Sequence, residues 1–300
     1  MLCDISDMRF SLRQLEVFLA VARSESVSRA AQELAMSQSA VSGSLADLES
    51  QFDIQLFDRI GKRLQLSGLG RAVRPAAQAL HERALEFEQG LGNRSDAGLL
   101  RVGATLTIGN HVTVPLMARF MREHSGARVT LEVANTAEIA RKVVNFEIDV
   151  GLVEGELHDP ELEVTPWRDD ELVVFCGRKH AFAKRAALSD DELRQAAWIV
   201  RERGSGTRQA FERAMHGILP ELTIALELQH TEAIKSAVEA GLGVGCVSHI
   251  ALAEAFRHRT LVPCQVPHRD FKRQFFFVLH RQKYRSAGLQ HWLALCRSSA

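Results

Sequence analysis

The feature that most constrains the fold is a change of pattern near residue 99. Residues 11–57 contain no proline and one glycine, and their apolar side chains recur at helical spacing, whereas strand-like apolar runs begin only after Leu99. A chain of 300 residues is about twice the length of a typical domain. We therefore expect an all-helical N-terminal domain, followed by a separate α/β domain.

The helical part contains two short helices joined by a tight turn. We expect a helix over 27–34, a turn at Ala35–Met36, and a second helix from a Ser37 cap to about Phe52. The side chains of the second helix predicted to be buried are Ala40, Val41, Leu45 and Leu48. Two short helices joined in this way are typical of a helix-turn-helix, although a packed helical hairpin gives the same pattern.

The exposed face of the second helix has polar groups that suit nucleic acid. Gln38, Ser39 and Ser42 lie near its start, where hydroxyls suit phosphate contacts or serve only as caps, and glutamine pairs bidentately with adenine. Further along, Gln55–Arg59 and Leu64–Leu66 flank the basic turn Ile60-Gly61-Lys62-Arg63. A basic hairpin after a helix-turn-helix predicts a wing.

The charge composition limits how such a domain holds DNA. The chain has 37 basic and 37 acidic residues, and residues 1–67 alone hold seven basic against nine acidic side chains. Bulk positive charge is therefore excluded as the source of affinity. Phosphate contacts must be local, at the wing and at helix N-termini.

Several motifs in this region resemble the LysR-type transcriptional regulators. They are Phe18-Leu19-Ala20-Val21-Ala22, Ser28-Arg29-Ala30-Ala31-Gln32-Glu33-Leu34, Ser37-Gln38-Ser39-Ala40-Val41-Ser42 and Leu56-Phe57-Asp58-Arg59. The resemblance extends over the whole chain and implies a winged helix that reads the major groove of promoter DNA as a dimer. With the basic turn, it gives these DNA-binding candidates: Ser28, Arg29, Ser37, Gln38, Ser39, Ser42, Arg59, Lys62 and Arg63.

Two positions depart from the family pattern. Gly43 stands where the family often has a longer polar or basic residue, which removes one possible DNA contact. Asp53 stands where a glycine usually ends the recognition helix. Aspartate still tolerates the left-handed conformation that such a cap requires.

Residues 68–97 are expected to form a linker helix and a glycine-rich hinge. The helix has a short heptad seam of Val73, Ala77, Leu80, Ala84, Phe87 and Leu91, with Pro75 near its start. A seam between two protomers is favoured, although a helix packed on its own domain is the alternative. The resemblance implies a dimerising linker helix, usually within a homotetramer.

Residues 98–300 alternate between strand and helix patterns, which predicts a parallel α/β sheet in two lobes. We expect lobe I over about 98–165 and 267–300, and lobe II over about 166–266. The resemblance implies the type II periplasmic-binding-protein fold, which LysR-type regulators use as an effector domain. The DNA-binding domain then covers 1–67.

Three predicted helix starts follow strands in this region: Thr105-Leu106-Thr107, the segment 201–208, and His230-Thr231-Glu232. Hydroxyls and free N–H groups at such positions bind an anion, or serve simply as N-caps; Arg201 is equally compatible with a surface charge. The effector-binding candidates are Thr105, Thr107, Asn135, Glu154, Arg201, Ser205, Thr207, His230 and Thr231. The resemblance is to a branch that includes regulators of sulfur assimilation and carbon fixation, which implies sulfite or a related oxyanion as effector.

Other functional classes find less support. Five scattered cysteines suit a reducing compartment and argue against disulfides or a zinc site, no apolar run spans a bilayer, and the N-terminus lacks a signal-peptide layout, so a cytoplasmic location is expected. No catalytic triad, metal spacing or phosphate loop supports an enzyme, and no cofactor is implied. The alternative is a cytosolic solute-binding module without direct regulation, which the helix-turn-helix disfavours.

Overall fold

The N-terminal residues fold into the predicted helices in the computed structural model, which describes residues 8–60, 63–91 and 98–299. The helices are α1 (Leu12–Ser24), α2 (Val27–Glu33) and α3 (Gln38–Phe52). Ser11 and Ser37 cap α1 and α3, and Ser11 forms a reciprocal capping box with Gln14. The turn between α2 and α3 places Ala35 in the left-handed region, at φ +52°. The helix-turn-helix prediction is thereby confirmed at the level of backbone structure.

Small residues let α1, α2 and α3 pack closely. Ala30 and Ala31 on α2 are buried, as are Val17 and Phe18 on α1, and the Phe18 ring meets Phe57 edge-on with centroids 5.7 Å apart. Phe57 begins the hairpin of β1 (Phe57–Ile60) and β2 (Arg63–Leu66), which pair antiparallel. The wing therefore forms as predicted, while the turn residues Gly61 and Lys62 lie outside the described ranges.

The helix α4 (Gly68–Leu91) continues through Pro75, and its two halves differ in burial. Val73 and Ala77 are partly buried against the core of the helix-turn-helix, whereas Phe87 and Leu91 are more than two-thirds exposed. A Cβ atom at Gly70 would overlap the Leu56 carbonyl oxygen, so glycine permits the close approach of α4 to the wing. The first half of the predicted seam thus packs on its own domain.

The described residues form two compact units. One contains the chain up to Gly98 together with Gln282–Ala287, and the other contains Leu99–Arg281 and the chain from Gly288 onward. The second unit is an α/β structure. Its strands are β3 (Leu99–Thr105), β4 (Arg128–Ala134), β5 (Val150–Glu154), β6 (Leu162–Gly177), β7 (Ala197–Arg201), β8 (Thr223–Leu228), β9 (Val244–Ser248), β10 (Leu261–Cys264) and β11 (Lys272–His280).

Helices connect these strands. They are α5 (Leu106–Ile108), α6 (Val114–Glu123), α7 (Thr136–Val144), α8 (Asp190–Gln195), α9 (Gly206–Ala214), α10 (Thr231–Glu239), α11 (His249–Arg257) and α12 (Ala287–Ser298). The helical segment after β3 is continuous, because α5 leads into α6 through a π-helical turn, Gly109–Thr113.

The strands run in the order β4-β3-β5-β11-β6-β9-β7-β8, with β10 beside β6. Pairing is parallel among β4, β3 and β5 and among β8, β7 and β9, but β11 and β6 are antiparallel to their neighbours. Parallel pairing is therefore confirmed within each group of three strands, and the antiparallel strands at the centre are a feature that the alternation did not predict. The reason is that β6 and β11 cross between the two parallel parts, which we call the first lobe (β3–β5) and the second lobe (β7–β9).

The two lobes have separate cores. In the first lobe, Ile139, Val143 and Val278 belong to one buried cluster, and Trp198 and Phe211 belong to another in the second lobe. Cys176, Cys246, Cys264 and Cys296 are buried free thiols. In the part of the chain that the structure describes, no helix has the length and apolar character needed to cross a membrane.

Candidate functional site

The N-terminal face of α3 is exposed. The Ser37 hydroxyl accepts a hydrogen bond from the Ala40 N–H at 3.1 Å and lies 3.0 Å from the Ser39 hydroxyl. Gln38, Ser39 and Ser42 are exposed beside them. Ala40 is exposed too, so its predicted burial is wrong: it precedes the buried Val41 and therefore lies about 100° around the helix from it. This face carries an amide and hydroxyls that are open to a partner.

Cationic side chains flank this face on the neighbouring elements. Ser28 and Arg29 are exposed on α2, and Arg59 is exposed on β1. Within the described ranges, neither arginine side chain forms an ion pair or hydrogen bond. A groove of about 460 Å³ separates α3 from the wing and is lined by Ser42 and Arg59 among others. Lys62 and the side chain of Arg63 lie outside the described residues.

The structure describes both positions, Gly43 and Asp53, at which the sequence departs from the family pattern. A Cβ atom at Gly43 would meet nothing within 4 Å, so this position leaves an open gap on the exposed face of α3. Asp53 adopts the left-handed conformation, with φ 51° and ψ 50°, and ends α3 as expected. Its backbone N–H donates to the carbonyls of Glu49 and Ser50.

Strand ends meet where the two lobes join. β3 ends at Thr105, β5 at Glu154, β7 at Arg201 and β9 at Ser248, and each of these residues is at most 2% exposed. We call this region the lobe junction. The sequence placed Thr105, Glu154 and Arg201 at the effector site. A direct hydrogen bond joins Thr105 to Glu154, whereas the Arg201 side chain bonds to Glu202.

The Glu154 carboxylate is held from both lobes. Thr105, in the first lobe, donates its hydroxyl to Oε2, and Thr207, at the start of α9 in the second lobe, donates to Oε1 at 3.3 Å. The Arg273 guanidinium lies 3.9 Å from Oε1. The hydroxyls predicted to bind an anion therefore already contact one, which the protein itself supplies.

Arg273 is a central residue of the lobe junction that sequence reasoning missed. Its Nε donates to Asp170 at 2.6 Å and its Nη1 donates to the Thr207 hydroxyl at 2.9 Å. Ser248 donates its hydroxyl to the other Asp170 oxygen at 2.7 Å. The Nη2 atom of Arg273 is buried and has no hydrogen-bond partner among the described residues. The missed signal is that Arg273 alternates in phase with Phe275 and Phe277 on β11, which predicts an inward-facing side chain.

Arg201 is also buried rather than a surface charge. Its side chain is 1% exposed and forms a two-point contact with the neighbouring Glu202, at 2.8 and 3.0 Å. Its Nη1 atom is buried and finds no partner in the described part of the chain. A buried guanidinium nitrogen without an acceptor is unfavourable, because it has lost its hydration without replacement.

The other five residues predicted to bind the effector divide into one helix cap and four residues whose side chains make no capping bond. Asn135 caps α7 by accepting the Glu138 N–H at 3.0 Å, as the capping alternative predicts. Ser205 and His230 occupy N-cap positions but make no side-chain capping bond. Thr107 lies inside α5 and Thr231 is the first residue of α10, and both are buried. Capping by a side chain therefore accounts for Asn135 alone within this set of five.

The lobes touch beside the carboxylate. The Gly206 N–H donates to the Thr136 hydroxyl at 3.2 Å, and that hydroxyl donates to the Glu154 carbonyl at 2.7 Å. A Cβ atom at Gly206 would overlap the same carbonyl oxygen. The first turn of α9 therefore packs directly against the end of β5, and any change in the lobe angle must alter this contact.

A histidine lies at another edge of the second unit. His111, in the π-helical turn, lines a cavity of about 490 Å³ together with Glu232 and Lys235 of α10, which pair at 2.9 Å. Burial lowers the pKa of His111 below its ordinary value; Glu232 acts in the opposite direction, and Lys235 adds to the lowering. The imidazole therefore favours its neutral form in the folded protein.

The chain matches known families over nearly its whole length. Residues 12–71 match the family "Bacterial regulatory helix-turn-helix protein, lysR family", and residues 93–300 match the family "LysR substrate binding domain". The regulatory domain of CcmR from Synechocystis PCC6803, solved in complex with 2-PG, superposes with a TM-score of 0.63 at 28% identity, over 67% of this chain and 97% of that chain.

Whole-length relatives agree. The HTH-type transcriptional regulator YeiE of Escherichia coli K12 is 41% identical, over 96% of this chain and 98% of the relative. The RuBisCO operon transcriptional regulator of Allochromatium vinosum is 34% identical, over 92% of each chain. The expected likeness to carbon-fixation regulators is thus confirmed, as is the expectation of a regulator rather than an enzyme. The chain belongs to the LysR family of transcriptional regulators and combines a helix-turn-helix domain with a C-terminal effector-binding domain.

Proposed function

We propose that this regulator binds promoter DNA through α3 and the wing, as a dimer held by α4, and that a small anion at the lobe junction controls it. On the DNA side, Gln38 contacts base edges in the major groove, while Ser37, Ser39 and Ser42 contact phosphates or bases. Arg29, Arg59 and the basic turn of the wing supply phosphate contacts on either side. This assignment is supported by their exposure and by the lack of competing partners for Arg29 and Arg59 among the described residues.

The dimer contact uses the second half of α4. Leu80, Phe87 and Leu91 are between 42 and 74% exposed and follow the heptad spacing of the predicted seam. A second copy of the same helix has the matching apolar stripe, so pairing removes these side chains from water. Pairing of such dimers gives a homotetramer, which places several winged helices on neighbouring half-sites. Joined domains supply the affinity that the slightly acidic single domain lacks.

One observation carries the effector assignment: hydroxyls from two lobes converge on a single carboxylate, that of Glu154. Donors that hold one internal anion are suited to hold another of similar size. The Arg273 guanidinium, whose Nη1 donates to the Thr207 hydroxyl, adds positive charge beside these hydroxyls. The effector we propose is an oxyanion, with sulfite or a close relative as the first choice, that replaces Glu154 as acceptor of the Thr105 and Thr207 hydrogen bonds.

Replacement of Glu154 also explains how binding is converted into a signal. Glu154 also supplies the backbone carbonyl that accepts from the Thr136 hydroxyl, and that hydroxyl accepts from the Gly206 N–H. When an anion takes the hydroxyls, Glu154 moves and this contact between lobes is rearranged. The effector then favours one lobe arrangement over the other, which is the differential affinity that any ligand-driven shift requires. The changed lobe arrangement then alters the spacing of the winged helices on DNA.

The decisive experiment combines a gel shift with calorimetry on the full-length protein. DNA from upstream of the protein's own gene is shifted with and without sulfite, sulfate or phosphate, and each anion is titrated into the protein. Thr207→Val removes one hydroxyl donor and should weaken anion binding by about tenfold, the equivalent of one hydrogen bond to a charged group. Thr223→Val, on the exposed edge strand β8, is the matched control and should bind as the wild type does.

The assignment would be contradicted by either of two outcomes. Equal anion affinity of Thr207→Val and the wild type would exclude the lobe junction as the site. An unchanged DNA shift with every anion would exclude small oxyanions as effectors, while leaving the DNA-binding assignment to be tested separately.

A further inference from the structure

The largest cavity that we describe lies at the two crossing strands, apart from the residues predicted to bind the effector. It has a volume of about 730 Å³ and is lined by parts of β6 and β11, the loop after β5, α9 and the start of α11. None of the predicted effector-binding residues lines it. We call it the hinge cavity. Its volume lies in the range of small-molecule sites.

A buried, incompletely paired guanidinium lines this cavity. Arg273 is 2% exposed in its side chain, and its Nε and Nη1 atoms are used by Asp170 and Thr207. Its Nη2 atom is buried and has no partner within the described residues. Because a buried N–H of a charged group is costly to leave unpaired, this atom indicates an acceptor that the protein does not itself provide.

A second guanidinium on the same wall is uncommitted. Arg168 is half-buried on β6 and forms no ion pair or hydrogen bond with any residue in the described ranges. The acidic groups nearby are largely engaged: Glu156 pairs with Arg213 at 3.0 Å, and Asp169 accepts from Gln274 at 3.0 Å. Asp170 is held by Arg273 and Ser248. Glu171, the fourth acid of the lining, is exposed. The cavity therefore has spare cationic donors, and three of its four acids are already engaged.

The charge balance selects the class of ligand. Four cationic and four acidic side chains line the cavity, and Arg168 and Arg273 are the guanidinium groups with unused donors, so a ligand with one negative charge can be bound without a large local excess of either charge. Guanidinium groups match the planar geometry of a carboxylate. Phe276, Ile250 and Ala210 supply apolar walls. These features together favour a monocarboxylate with a short apolar body.

We propose that the hinge cavity is a second ligand site, which binds a small apolar monocarboxylate through Arg168 and Arg273. The strands that line it connect the two lobes, and Arg273 also bonds Thr207 at the lobe junction. A carboxylate in the hinge cavity therefore draws on the same guanidinium that supports the effector site. Its occupancy adjusts the response to the primary effector.

The test is a calorimetric titration of the full-length protein with three matched probes. They are phenylacetate, the neutral analogue 2-phenylethanol, and acetate. Phenylacetate should bind, and both other probes should bind more weakly, because one lacks the charge and the other lacks the apolar body. Arg168→Ala should weaken phenylacetate binding by about tenfold or more. Arg178→Ala, an exposed arginine that does not line the cavity, should leave it unchanged.

Failure of phenylacetate to bind the wild-type protein at millimolar concentration would overturn the proposal. So would equal affinities of Arg168→Ala and the wild type, since phenylacetate would then occupy another place. A structure of the complex gives a second measurement: the carboxylate should lie against Arg168 and the Nη2 atom of Arg273. A ligand found only at Thr105 and Thr207 would also refute the second site.

Discussion

The exposed face of α3 and the lobe junction use similar side chains in opposite ways. Both regions present hydroxyls and guanidinium groups, but on α3 and its neighbours these groups are exposed and open, whereas at the lobe junction they are buried and bound to one another. Truncation at the first surface should therefore cost DNA affinity and leave the fold intact. Truncation at the second should cost stability as well as ligand binding.

The largest expected effect is at Arg273. Arg273→Ala leaves the carboxylates of Asp170 and Glu154 buried without their cation, and breaking such a buried pair costs about 3–5 kcal/mol. Urea or thermal unfolding of the full-length protein measures this loss, with exposed Arg178→Ala as control. A loss below about 1 kcal/mol, the range of surface pairs, would show that the lobe junction is not a tightly coupled network.

The same substitution at two glycines should have opposite signs. Gly206→Ala forces a methyl group against the Glu154 carbonyl and should cost about 1–3 kcal/mol through overpacking. Gly43→Ala meets open space on α3 and should stabilise that helix by about 0.5–1 kcal/mol. Unfolding curves for the two variants compare them directly. If both change stability in the same direction, the contrast between the two regions fails.

Gln38→Ala tests the exposed face for recognition alone. A bidentate contact between glutamine and adenine is worth about 1–3 kcal/mol of discrimination, so operator affinity should fall and sequence preference should relax. Because Gln38 is exposed, the unfolding free energy should stay within about 0.5 kcal/mol of the wild type. Gel shifts on wild-type and substituted operators measure the first effect. An unchanged footprint and preference would remove Gln38 from the base contacts.

The smallest effect concerns pH. Burial lowers the pKa of His111 below its ordinary 6.5, so the unfolded chain binds the proton more readily than the folded chain does. The stabilising contribution of the neutral imidazole is fully present above 6.5 and is lost as the pH falls towards the lowered value. In His111→Asn, the free energy of unfolding should therefore fall less steeply with decreasing pH below 6.5 than in the wild type. Urea unfolding at a series of pH values measures this difference. Burial also lowers the pKa of His180. The variant retains His180, which serves as an internal reference for the pH dependence that remains.

The fold could be predicted well wherever local pattern decides it. Serine caps, the wing turn and the strand–helix alternation are local signals, and each produced an element within a few residues of its prediction. The central antiparallel strands were harder. β6 and β11 pair residues about one hundred positions apart. The sequence of either strand alone does not indicate whether its neighbour is parallel or antiparallel to it.

The donors of the candidate effector site could be identified in the sequence, but the acceptor of their hydrogen bonds could not. Thr105, Thr207 and Arg201 could be identified as polar residues at strand ends and helix starts. That Glu154 would accept from both threonine hydroxyls, and that Arg273 would bond to Thr207 beside it, depends on a contact between lobes. The inward phase of Arg273 was visible beside Phe275 and Phe277, but a buried arginine is unusual enough that pattern alone favours a surface position.

The strand β6 has a consequence for how the second unit loses its structure. Its 16 residues pair with β11 along the first part and with β9 and β10 along the remainder, so one backbone segment belongs to both lobes. Opening either lobe completely would strip this strand of half its partners. Amide hydrogen exchange along β6 should therefore be uniformly slow, and the two lobes should melt as one cooperative unit although each has its own core.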